Sequence, residues 1–128
     1  MNPLNFSRWD GTREGFYEVW YFKLNHADGA LWLRLTLLSG RGGWKKAAET
    51  WGIFFKPREA GVDHVAVKCT LPLEKFSASH DRVAVGESFW SDGRTAGAIR
   101  SGASAIEWDL SFEPSLRSFE HVPRAIRA

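Results

Sequence analysis

A chain of 128 residues, 44% hydrophobic and 14% aromatic, carries 17 basic against 15 acidic side chains for a formal net charge of +2. That length reads as one domain, residues 1–128, able to bury a core without disulfides or metal, and the interspersed charges exclude the basic footprint of a nucleic-acid binder. No run approaches the roughly twenty apolar residues of a membrane helix, the first residues lack the basic and apolar blocks of a signal peptide, and the lone Cys69 leaves no internal disulfide, which points to a cytoplasmic setting.

Residues 1–15 read as a lead-in of turn formers, and two strands follow, 16–23 and 30–39, joined by a turn in which Asp28 and Gly29 tolerate positive φ. Side chains alternate along a strand, so Phe16, Glu18, Trp20 and Phe22 share one face. On the expected register Trp32, Arg34 and Thr36 of the partner join them. Residues 39–43 break the second strand, and 44–49 are a connector or one helical turn. A third strand, 50–56, contains Trp51 and Phe54 and stops at Pro57. The next strand, 64–71, puts Val65, Val67, Cys69 and Leu71 on one side. After a loop with a short helical turn at 72–81, residues 83–90 form a strand interrupted by Gly86. A closing hairpin pairs 95–101 with 105–112, and there Ile106, Trp108, Leu110 and Phe112 alternate with Glu107, Asp109 and Ser111. Pro114 ends it, and the tail 115–128, enriched in Arg117, Arg124 and Arg127, is extended or helical. About seven to eight short strands with turn chemistry between them predict an all-β antiparallel barrel or sandwich.

The four histidines, His26, His64, His80 and His121, lack metal-ligand spacing, and no metal or other cofactor is expected. No Gly-x-Ser-x-Gly elbow occurs, and Gly40, Gly42 and Gly43 open no helix that could hold a phosphate. Glu107 and Asp109 read as a solvated outer face. Glu18 with Arg34 stands above this background, because a carboxylate and a guanidinium among tryptophans must be paired or serve a pocket. The pair is either an internal strut that fixes register or the polar anchor of a small-molecule cavity walled by Trp20, Phe22, Trp32, Trp51 and Phe54.

The strings at 16–23, 30–38 and 49–54, with Gly97-Ala98-Ile99 and 106–114, resemble the lipocalin-like superfamily that contains carotenoid 1,2-hydratase (hydroxyneurosporene synthase), AttH-like proteins and tocopherol cyclase. The resemblance implies a calycin-type β-barrel whose lumen takes hydrophobic molecules such as isoprenoids, carotenoids or lipids. It places Glu18, Trp20 and Arg34 in the signature strand pair. Three functions follow as expectations. The first is binding of a hydrophobic small molecule with Glu18 and Arg34 as anchor. The second is acid catalysis on an isoprenoid alkene, with Glu18 as the catalytic proton donor. The third is a non-catalytic barrel that pairs with a partner. Members of that group typically carry two barrels where this chain has one, and Tyr17, Val19 and Tyr21 leave an apolar face to cover, so a homodimer is expected.

Overall fold

The computed structural model describes residues 3–115. The arginine-rich tail beyond lies outside the described residues. Four long strands, β1 (Phe16–His26), β2 (Gly29–Ser39), β3 (Lys46–Arg58) and β4 (Gly61–Leu71), form one antiparallel sheet in chain order. Five shorter ones, β5 (Phe76–Ala78), β6 (Arg82–Val85), β7 (Ser88–Ser91), β8 (Arg94–Ser101) and β9 (Ser104–Ser111), form a second. Short 3₁₀ turns at Pro3–Asn5 and Leu73–Lys75 are the only helical pieces among the described residues. Among these residues no helix is long and apolar enough to cross a membrane. The expected all-β antiparallel architecture is present as two sheets, and among the described residues no ladder joins them into a closed ring.

Turn chemistry accounts for most boundaries. Ala27 and Asp28 alone link β1 to β2, since His26 pairs with Gly29, and Glu59 and Ala60 alone link β3 to β4. The residues expected to form one strand from 83 to 90 fold instead as a hairpin, because Gly86 takes φ +60° and reverses the chain. Residues 46–49, expected as part of a connector, already belong to β3. Pro57, expected to stop that strand, lies inside it. In a two-residue hairpin the closing pair, Arg58 with Gly61, exchanges both hydrogen bonds, so the nitrogen of Pro57 points away from β4. It points toward the side where β2 has already ended, and no ladder bond is lost.

The same two-residue logic overturns the expected face assignment. With Ala27 and Asp28 as the whole loop, even-numbered residues of β1 stand opposite odd-numbered residues of β2: Glu18 faces Leu37, Trp20 faces Leu35, and Arg34 faces Tyr21. A one-residue difference in register moves a complete side-chain set to the other face. Leu31, Leu33, Leu35 and Leu37 therefore join Trp20 and Phe22 on the inner face, while Trp32, Arg34 and Thr36 go to the outer face with Tyr17, Val19 and Tyr21.

Between the sheets lie two apolar clusters. Trp20, Leu35, Leu37, Ala48, Val83 and Val85 fill one end, with Phe76 and Trp90 packed against them. Leu31, Leu33, Val67, Ile99, Ile106 and Trp108 form the other, where β8 and β9 lie against β4. Gly52 permits that approach: a Cβ there would stand 3.1 Å from Ile99 and 3.3 Å from Ile106, tighter than side chains ordinarily pack.

Candidate functional site

The second cluster is open on one side. A cleft of about 560 Å³ is bounded by Leu24 and His26 of β1, the Asp28–Gly29 turn, Leu31 of β2, Phe54 of β3, Val65 of β4, and residues 105–110 of β9. Its size falls within the roughly 300–1,000 Å³ of small-molecule sites. Strand length explains the opening. The strands of the first sheet run 11 to 13 residues, whereas β5 to β7 run 3 or 4 and stay at the far end, so the long sheet overhangs. Phe54 and Val65 point inward and are still 37% and 42% exposed.

The β9 wall is held rigidly. Trp108 is buried, and its indole Nε1–H donates to Thr95 Oγ1 at 3.0 Å, whose hydroxyl donates in turn to the Phe89 carbonyl at 2.8 Å. This chain ties β9 to β8 and β7 through buried, satisfied polar groups. On the outer side of β9, Glu107 accepts from Arg100 and Asp109 accepts both a 3.0 Å and a 2.8 Å bond from Arg94. Arg94 holds the Asp109 carboxyl below the usual carboxylate range by its hydrogen bonds and its charge. At the mouth His26 Nδ1 accepts from the Asp28 backbone N–H at 3.1 Å. Among the described residues neither lysine nor arginine lines the cleft.

Of the residues expected to form the site, Phe54 alone lines this cleft. Trp20 and Phe22 face inward in the filled interior beside it, where the gap among Trp20, Leu33, Leu35, Trp90 and Trp108 is about 10 Å³. Glu18 and Arg34 do not meet. Glu18 accepts from Ser7 Oγ at 2.7 Å and from the Arg8 backbone N–H at 2.7 Å, and Trp20 Nε1–H donates to the Asn5 carbonyl. These bonds strap residues 5–9 across β1, which makes Glu18 a strut. Arg34 instead lies on the outer face with its guanidinium 4.4 Å from the centre of the Trp51 ring, and Lys68 approaches the same ring at 4.3 Å. The Trp32 and Tyr21 rings meet on that face at a tilt of 38°, their centres 5.7 Å apart.

The outer face also holds Glu49, which drew no attention in the sequence and is 5% exposed. Burial pushes its pKa up, but hydrogen bonds from Lys45, Trp51 and Lys68, with the Lys68 charge, outweigh this and bring it down to about 2. Thr70 Oγ1 donates to the same carboxylate at 3.2 Å. Arg34 Nε–H donates to Thr36 Oγ1 at 3.0 Å beside it. The four-strand surface thus carries a fully partnered buried anion, as a lasting charge away from water requires.

Sequence reasoning picked out the alternation of Ile106, Trp108 and Leu110 but gave it no site role. Leu24 and Leu31 went unnoticed, although the length of the 27–28 turn was the available signal. Among the described residues no group of three histidine, cysteine or acidic side chains is placed to hold a metal. Set against family models, curated proteins and solved structures, the chain matches none.

Proposed function

We propose that the protein binds a hydrophobic small molecule in the cleft between its sheets. The observation that carries this reading is the exposure of Phe54 and Val65, inward-facing apolar residues left without cover in a cavity of small-molecule size. Leu24, Leu31, Ile106, Trp108 and Leu110 complete an apolar lining, and burying such surface against a ligand is favourable at roughly 25 cal/mol per Å². The lipocalin-like resemblance supports an isoprenoid, carotenoid or lipid-like ligand at the mouth of a barrel-like cup. Glu18 does not line this cleft, and its two oxygens accept from Ser7 and Arg8 of the N-terminal segment.

Titration with retinoids, fatty acids and carotenoid fragments tests the reading through tryptophan emission, to which Trp108 in the wall contributes. A saturable, near-stoichiometric change that weakens in Phe54→Ala is the expected result, and unchanged emission across the panel removes the proposal.

A second reading, assembly of two copies, draws on Tyr17 and Tyr21, 52% and 54% exposed on the outer face of β1. A two-fold contact would use this patch on both copies. Sedimentation at micromolar concentration would show a dimer that Tyr21→Glu dissociates, and a monomer throughout would end this reading.

A further inference from the structure

The outer face of the four-strand sheet, on the opposite side from the cleft, concentrates positive charge. Tyr21, Arg34, Trp51 and Lys68 stand opposite one another on neighbouring strands, and Val19, Thr36, Glu49 and Thr70 form the next row. Side chains alternate along each strand, so Lys23, Arg34 and Lys68 share this face, and Lys45 reaches it from the loop before β3. Against these cations the four strands set only Glu49 on that face. Its carboxylate is fully engaged. Lys45, Lys68 and Thr70 share one oxygen, and the Trp51 indole N–H donates to the other at 3.0 Å.

Arg34 is left out of this arrangement. Its Nε–H goes to Thr36 Oγ1 at 3.0 Å, and among the described residues no acceptor meets the N–H groups of its two terminal nitrogens. Its other contact is the Trp51 ring, 4.4 Å from the guanidinium carbon to the ring centre, and a ring supplies no oxygen. These two contacts fix the half-buried side chain and leave its terminal N–H fork open, a shape that matches two oxygens of one oxyanion. Lys68, 4.3 Å from the centre of the same ring, adds its charge beside the fork. We infer that Arg34 anchors a binding site for a phosphate monoester, two of whose oxygens accept from its terminal nitrogens in the field of Lys45 and Lys68. Glu49 neutralises one of the charges on Arg34, Lys45 and Lys68, and two remain. A phosphate monoester carries about −1.5 to −2 at neutral pH and matches them, whereas a carboxylate or a sulfate ester leaves one uncompensated. The ligand is a soluble one. Anionic membranes recruit clusters of roughly four to eight lysines and arginines, and on this face Lys45 and Lys68 are already tied to Glu49.

The experiment titrates the protein at neutral pH with phenyl phosphate and with phenyl sulfate, which has the same shape and less charge, by calorimetry. Variants are Arg34→Gln, which removes charge and fork, Arg34→Lys, which keeps the charge and loses the fork, and Lys75→Gln, which removes an exposed cation of the 3₁₀ turn after β4. Circular dichroism checks the fold of each. Phenyl phosphate is expected to bind saturably and about threefold more tightly than phenyl sulfate, the effect of added charge at a half-exposed site. Arg34→Gln should weaken it about tenfold, the loss of charged hydrogen bonds, with Arg34→Lys in between and Lys75→Gln without effect. Nuclear magnetic resonance shifts of the Arg34 side-chain N–H and Trp51 indole N–H signals on addition of phenyl phosphate support the same geometry without any variant. Unmoved Arg34 signals, or equal affinity in wild type and folded Arg34→Gln, overturn the inference. Equal weakening by Lys75→Gln assigns the binding to net charge and overturns it too, and phenyl sulfate binding as tightly as phenyl phosphate removes the phosphate assignment. Co-sedimentation with vesicles containing phosphatidic acid, with no binding of phenyl phosphate, overturns the soluble ligand in favour of a membrane surface.

Discussion

At one end of the space between the sheets Leu37, Ala48 and Val83 are fully buried, and at the other Phe54 and Val65, on the same inner face of the same strands or their neighbours, are 37% and 42% exposed. Residue type does not separate the two ends, because both are apolar and both alternate. Cover separates them. The short strands β5 to β7 cap Leu37 and Ala48 with Phe76, Val83 and Val85, and among the described residues of the second sheet β8 and β9 reach the other end, where β9 alone borders the cleft. An inward-facing apolar side chain is therefore core or ligand surface according to the length of the strand opposite it.

The sharpest way to break this comparison is truncation at each end. Leu37→Ala should cost about 3 kcal/mol, since it opens a cavity in packed surroundings, whereas Val65→Ala should cost less than about 1 kcal/mol because its site is already open to water. Urea midpoints measure both, and equal losses would mean that the two ends are packed alike.

The next largest effect belongs to the outer side of the packed end. Glu49, with its pKa lowered to about 2, contributes stability above the unfolded-state value near 4.5 and loses it as pH falls through 2. Glu49→Gln should thus cost on the order of 2–3 kcal/mol at pH 7, and the gap to wild type should close progressively between pH 4.5 and 2. A pH-independent gap would assign the loss to packing.

Glu18→Ala should cost about 1 kcal/mol by releasing the strap at residues 5–9, and it should leave ligand affinity in the cleft unchanged. A fall in affinity would place Glu18 in the site after all. The smallest stability effect is expected for Phe54→Ala, below about 1 kcal/mol at a partly exposed position, although the same change should weaken ligand binding. Stability lost in step with binding would merge the two ends into one core.

The fold class was legible because strand signals are local: alternation at Ile106, Trp108 and Leu110 and the turns at Asp28 and Gly93 lie in short windows. The site was not, for two physical reasons. Whether Arg34 shares a face with Glu18 depends on the parity of the 27–28 loop, and a one-residue error there exchanged the inner leucines for Trp32 and Arg34. Whether Phe54 and Val65 are covered depends on where β5 to β7 come to rest, a tertiary outcome that no single segment records. Pro57 and Glu49 teach the same lesson, since a neighbouring strand's end excuses the proline, and β3, β4 and the loop before β3 supply the carboxylate's partners.

Because among the described residues each strand pairs only with its neighbours in the chain, and most are joined by two-residue loops, both sheets can zip up from local hairpins. Little loop-closure entropy opposes these steps. The distant step is closure of the second sheet over the first, with β6 settling on β2 and β3 and with β8 and β9 settling on β4. Topologies built from neighbouring contacts fold faster than all-β domains that interleave distant strands, so this meander should refold in a rapid hairpin phase limited by the closing of one sheet over the other.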